Sequence, residues 1–111
     1  MPKAEDHDFL EELDEPYEIM LADESVYAYS EIPSQKIYDR IGFLIEFLGS
    51  HPYYGEPYDP YYTSAMPPIA CRVFFCAHYG IYYNVDVSNK TVNVLAIEDE
   101  RKNPLKRFKV L

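Results

Sequence analysis

Seven side chains in this 111-residue sequence are of types that could do chemistry: Arg72, His78, Tyr82, Arg101, Lys102, Lys106 and Arg107. His78 falls at a predicted turn, where a histidine is either solvated or poised as a general base near neutral pH. Arg72 falls in a predicted strand, on the opposite side from Val73. That places it either on an open sheet face or in a pair with an acid. Arg101-Lys102 and Lys106-Arg107 make a basic tail, fit for phosphate, for an acidic partner segment, or for ordinary surface charge. No metal site is expected, because His7, His51 and His78 are scattered and no Cys/His spacing suits zinc. A glycine-rich phosphate loop and a nucleophile elbow are both absent from the sequence, and no cofactor is implied.

The charge pattern narrows the partners. The net charge is −9, with seven acids against one Lys in residues 1–16 and five bases against three acids in residues 98–111. An acidic body disfavours non-specific nucleic-acid binding, which depends on cations that displace counterions. Any such role would fall to the C-terminal segment. Cys71 and Cys76 lie five apart in one predicted strand, roughly 16 Å at strand rise, too far for a disulfide. Free thiols fit a reducing compartment. With no signal peptide and no apolar run long enough to span a bilayer, the expectation is a cytoplasmic protein.

The length implies one domain, and 48% hydrophobic residues fit a globular chain. Residues 1–16 read as an acidic N-terminal arm, either a solubilising tail or a short docking helix. Tyr17–Ala22 reads as a first strand. Asp23 is a candidate N-cap for a short helix over Glu24–Glu31, with Val26, Tyr27 and Tyr29 inward, ended by Pro33. Ser34 caps a second helix over Gln35–Leu48, whose Ile37, Tyr38, Ile41, Leu44, Ile45 and Leu48 mark a buried face widened by Phe43 and Phe47. Gly49 suits a left-handed helix cap.

The connector His51–Pro68 holds five prolines and five tyrosines. It is read as a stiff covering for the core, a stacking platform for bases, or a partner surface. Three antiparallel strands follow over Ile69–Cys76, Tyr79–Val87 and Thr91–Ile97. Tyr79, Ile81, Tyr83 and Val85 form an apolar face, and Gly80, Tyr82, Asn84 and Asp86 form the other. In the last strand, Val92 and Val94 face opposite to Leu95 and Ile97.

This order resembles the RelE/ParE superfamily of bacterial toxin–antitoxin toxins. The resemblance rests on Arg72-Val73-Phe74-Phe75, His78-Tyr79-Gly80-Ile81-Tyr82-Tyr83, Thr91-Val92-Asn93-Val94-Leu95-Ala96-Ile97 and the charged segment with Arg101, and it covers roughly Tyr17–Phe108. It implies an α+β domain over residues 17–108, with an N-terminal strand and two helices packed on a twisted antiparallel sheet (β-α-α-β-β-β). It implies a cognate antitoxin as partner, and either ribosome-dependent cleavage of mRNA or inhibition of DNA gyrase.

Cleavage by a 2′-hydroxyl needs a base, an acid for the leaving oxygen, and a cation for the charged phosphorane. Under the resemblance Arg72, His78 and Arg101 are the catalytic candidates, and Tyr82, Lys102, Lys106 and Arg107 the binding candidates. Ribonuclease members carry an arginine in the second meander strand, and aligned on Tyr82-Tyr83 that position is Gly80. The functional tail tyrosine of such members falls nearest Phe108. Two readings stand: a toxin, an endoribonuclease if it is an enzyme, and a non-catalytic binding module of the same fold. The acidic arm could also fold back on the basic tail and mask it.

Overall fold

The computed structural model describes residues 15–58 and 70–101. The acidic arm up to residue 14, the rest of the connector from residue 59 with the first residue of the expected strand at 69, and Lys102, Lys106 and Arg107 of the basic tail lie outside the described residues. The elements run β1 (Glu18–Leu21), α1 (Asp23–Ser30), α2 (Gln35–Ser50), β2 (Glu56–Pro57), β3 (Arg72–Cys76), β4 (Tyr79–Asp86) and β5 (Thr91–Asp99). They form one five-stranded sheet in the order β1-β5-β4-β3-β2, with the helices on one face.

The α+β class is as expected, but the sheet is mixed. β1 runs parallel to β5, with Glu18 opposite Thr91 and Leu21 opposite Val94. The β3–β4–β5 meander is antiparallel throughout. Parallel pairing needs a long crossover. Here α1, α2 and the connector carry the chain from β1 to the far edge, and the meander brings it back. The connector also supplies β2, a two-residue strand against Val73 and Arg72 that periodicity could not show in so proline-rich a stretch.

The long helix begins where Ser34 accepts a hydrogen bond from the Ile37 amide at 3.2 Å. Its buried stripe is Ile41, Leu44, Ile45, Leu48 and Gly49. Gly49 is not a left-handed cap: it lies inside α2, and no glycine of the described residues has positive φ. Its missing side chain lets the chain entering β1 pass close by. Tyr17 N donates to Gly49 O at 2.8 Å, and a Cβ would lie 3.0 Å from Tyr17 O.

In α1, Tyr29 packs against the core as expected, but the other two residues expected inward do not. Val26 and Tyr27 are 51% and 68% exposed. The buried residue is Ser25, whose hydroxyl donates to Val94 O across the helix–sheet boundary at 3.1 Å. A serine satisfied by a strand carbonyl can replace an apolar contact there, which a reading from hydrophobicity misses. Asp23 is the first helical residue, and Ala22 occupies the cap position with no side-chain hydrogen bond.

A β-bulge between Tyr82 and Tyr83 sets the two faces of the meander. Tyr82 pairs with Ala96 and Tyr83 with Val94, so Leu95 is the extra residue. The bulge resets the alternation of β5, and Ile97 joins Val92 and Val94 in the helix-side core. The expected grouping of Ile97 with Leu95 is thereby corrected.

Candidate functional site

The sheet face away from the helices is where the expected chemistry should lie. It carries a small second cluster of Cys71, Val73, Tyr82 and Ala96, with Tyr58 and Leu95 packed at its margin. Tyr82 is fully buried there. Its hydroxyl donates to Glu100 Oε2 at 2.9 Å, and the Tyr58 ring meets it edge-on at 4.9 Å between centroids. The connector backbone continues the cover, with Tyr58 N bonded to Cys71 O at 2.9 Å.

Gly80 lies beneath this pair. A Cβ on Gly80 would sit 2.7 Å from Glu100 Oε2, 3.0 Å from Tyr82 Cε1 and 3.1 Å from Tyr82 Oη. The space that a side chain would need is filled by a phenol and a carboxylate. Glu100 is not legible in the sequence, because unbroken alternation from Val92 and Val94 would carry it to the helix side and only the bulge at Leu95 turns it to the open face. β5 runs on to Asp99, two residues past the expected end, with Glu98 opposite Gly80. Continuing the period of two from Ala96 through Glu98 brings Glu100 over the same face.

Arg72 is elsewhere. It pairs with Tyr83 and shares the helix-side face with Phe74. It is not on the open face, and among the described residues it is not paired with an acid. Its Nε and Nη2 donate to Gly55 O at 2.9 and 2.6 Å, with a longer bond from Nη2 to Tyr53 O at 3.4 Å. The guanidinium carbon lies 5.2 Å from the Tyr53 ring centroid. Beside it the Tyr83 hydroxyl accepts from Gly55 N at 2.8 Å. Burial, the largest influence on Tyr83, pushes its phenol above the ordinary value, against the lowering effect of the Gly55 bond and of Arg72. Arg72 and Tyr83 together fasten the turn Tyr53–Gly55 to the sheet edge.

His78 and Arg101 are brought to the same end of the sheet. His78 occupies the two-residue turn between β3 and β4, after Ala77 at φ 55°. Its carbonyl accepts from Glu100 N at 2.7 Å, and its Nε2 is buried with no hydrogen-bond partner among the described residues. Arg101 is held by Asp99, with Nε to Oδ1 at 3.0 Å and Nη2 to Oδ2 at 2.7 Å. That grip keeps the Asp99 carboxyl well below the usual carboxylate range, with a smaller contribution from His78. Arg72 is at the opposite end of β3 from this turn, four strand residues away, or roughly 13 Å. Of the three catalytic candidates, His78 and Arg101 are neighbours and Arg72 is remote. Of the binding candidates, Tyr82 is buried, and the other three lie outside the described residues.

Solved structures share this fold, among them chains of two toxin–antitoxin complexes. A chain of the RelBE2 toxin–antitoxin complex from Mycobacterium tuberculosis superposes with a TM-score of 0.61 at 16% identity, over 83% of this chain and 100% of that one. A chain of the archaeal RelE–RelB complex from Pyrococcus horikoshii gives 0.61 at 14% identity, over 79% of this chain and 99% of that one. The fold is therefore RelE-like. No family model matches the sequence, and no curated protein matches it.

Proposed function

We propose that this chain is the RelE-like component of a toxin–antitoxin pair, bound by a cognate antitoxin in the cytoplasm, and that it acts by binding a protein and not by cutting RNA. The antitoxin partner is suggested by the two structural relatives, both of which are toxin–antitoxin complexes. The observation that carries the non-catalytic part is the Tyr82–Glu100 hydrogen bond closed over Gly80. A phosphorane-stabilising arginine at that position would have to displace the pair. The other strand cation, Arg72, is spent on connector carbonyls on the helix side.

The second reading is a ribosome-dependent mRNA endoribonuclease. It draws on His78 and Arg101 as a potential base and cation, supported by the Glu100 N to His78 O bond that ties the segment before Arg101 to the turn of His78. Arg101 is gripped by Asp99, so a phosphate would have to compete with a carboxylate already in place. No observation favours gyrase inhibition over either reading.

The test is isolation of the native complex and its reconstitution from purified parts. A single small partner should form a stable stoichiometric complex with this chain. A chain that purifies alone from its native cell and binds no protein on reconstitution would overturn the proposal.

A further inference from the structure

The outer side of α2 carries an exposed surface that neither the core nor the Gly80 region uses. Phe43 is 59% exposed and Tyr54 is 41% exposed. Phe47 connects them, with ring centroids 6.4 Å from Phe43 and 5.4 Å from Tyr54. Beside Phe43 a groove of about 600 Å³ opens between α2 and the end of β3, lined by Lys36, Ile37, Asp39, Arg40, Phe43 and Cys76. A second hollow of about 420 Å³ on the other flank of α2 shares Phe43 and Asp39. The exposed phenylalanine thus stands as a ridge between two apolar depressions.

The charges on the groove are unusual for this molecule. The chain carries −9, yet the groove presents two cations one helical turn apart. Among the described residues neither Lys36 nor Arg40 forms an ion pair. Arg72 and Arg101, by contrast, are both tied to oxygens. Asp39, which could neutralise either cation, instead accepts from Gln35 Nε2 at 2.8 Å. Two uncommitted cations beside an exposed aromatic, on an otherwise acidic protein, form a recognition pattern with a definite complement.

We propose that this groove is the docking site for an acidic amphipathic segment of a partner protein. Large apolar side chains of that segment cover Phe43 and enter the groove toward Ile37 and Cys76, and its carboxylates meet Lys36 and Arg40. The inference rests on the reading that the chain works by binding a protein, and it adds which surface is used and what chemistry the partner brings. A segment of helical period fits best, because its apolar positions recur on the same spacing as the ridge of α2.

The test uses the full-length chain as bait for a random 15-residue peptide library, followed by affinity measurement of selected synthetic peptides. Selected peptides should combine aromatic or leucine anchors with clustered Asp and Glu. Binding should fall about tenfold or more in Phe43→Ala and in the Lys36→Glu/Arg40→Glu double variant, and should weaken with salt. Bound peptide should slow alkylation of Cys76. All three substituted positions are exposed, and circular dichroism checks that the variants remain folded. Peptides without acidic enrichment, or peptides that bind both variants as well as wild type, would overturn the proposal. So would binding seen only after Phe9, Leu10 and Leu13 are changed to Ser in the full chain, because the groove would then belong to the chain's own acidic arm. A chain that forms a native complex but fails these tests keeps the binding function and loses only this surface.

Discussion

The two faces of the sheet are built on different principles. On the helix side, Ile41, Leu48, Ile81, Tyr83, Val92 and Val94 are fully buried in one continuous core with the rest of the α2 stripe. Polar groups there are fastened to backbone: Ser25 to Val94 O, Arg72 to Gly55 O, and Tyr83 Oη from Gly55 N. On the open side the buried apolar cluster among the described residues is the small group of Cys71, Val73, Tyr82 and Ala96, and its polar contact is side chain to side chain, Tyr82 to Glu100. The contrast shows where a small fold invests its stability. One face is fixed by area and by carbonyls that cannot move, and the other is closed by groups that could be exchanged without unfolding the domain. A fold with such a face can serve either catalysis or binding, according to what stands over the second meander strand.

Substitutions on the two faces should separate these roles. The largest effect is expected for Ile81→Ala, which empties a fully buried site in the main core and should cost about 2–5 kcal/mol in chemical denaturation. Val73→Ala on the open side removes two methyl groups and should cost about 1.5 kcal/mol. Equal losses at the two sites would erase the distinction between the faces.

Arg72→Ala should destabilise by roughly 1.5–3 kcal/mol, because it strips charge-assisted hydrogen bonds from Gly55 O. Arg72→Lys should recover little, since a point charge cannot reproduce the paired donors of a guanidinium. A catalytic arginine would give the opposite pattern, with stability kept and activity gone.

Gly80→Ala should cost about 1–2 kcal/mol, the lower part of the range for an added group in a filled space, because the Glu100 side chain can give way. Combining it with Glu100→Ala should reduce that cost. A Gly80→Ala change with no effect on stability would mean that the space above the glycine is open.

The smallest effect concerns pH. The folded Asp99 carboxyl lies below its ordinary value chiefly through its hydrogen bond to Arg101. The bonus to stability is therefore present above the ordinary value of 3.8 and is lost as the pH falls toward the folded value. Because Arg101 is highly exposed, the bonus is small. NMR titration should find Asp99 ionised well below the other carboxylates, and Arg101→Ala should move its midpoint back up. An unmoved midpoint would remove the link between Asp99 and Arg101.

Much of the architecture was legible because it follows period. The 3.6-residue stripe of α2 and the two-residue alternation of β4 each determine a face, and Ser34 announces its helix. What was not legible depends on events that period does not encode. The bulge at Leu95 reverses the sidedness of Ile97. The parallel pairing of β1 is a matter of topology. Ser25 is buried by a hydrogen bond and not by hydrophobicity. At the candidate site, Gly80 pointed to a missing cation, but its neighbour Glu100 depends on the bulge at Leu95, which turns it to the open face. Arg72 does lie on the face opposite Val73, as alternation requires. Which parity faced the helices could not be read from β3 alone, because Val73 and Phe75 are as apolar as Phe74.

The central claim is that the closed Tyr82–Glu100 pair over Gly80 leaves this RelE-like fold to bind a protein without cutting RNA. The most direct measurement incubates the purified chain with translating ribosomes and maps mRNA ends by primer extension. The account predicts an intact message at every codon, for the wild type and for Tyr82→Phe/Glu100→Gln alike. Codon-specific cleavage by the wild-type chain, abolished by His78→Ala or Arg101→Ala, would contradict it.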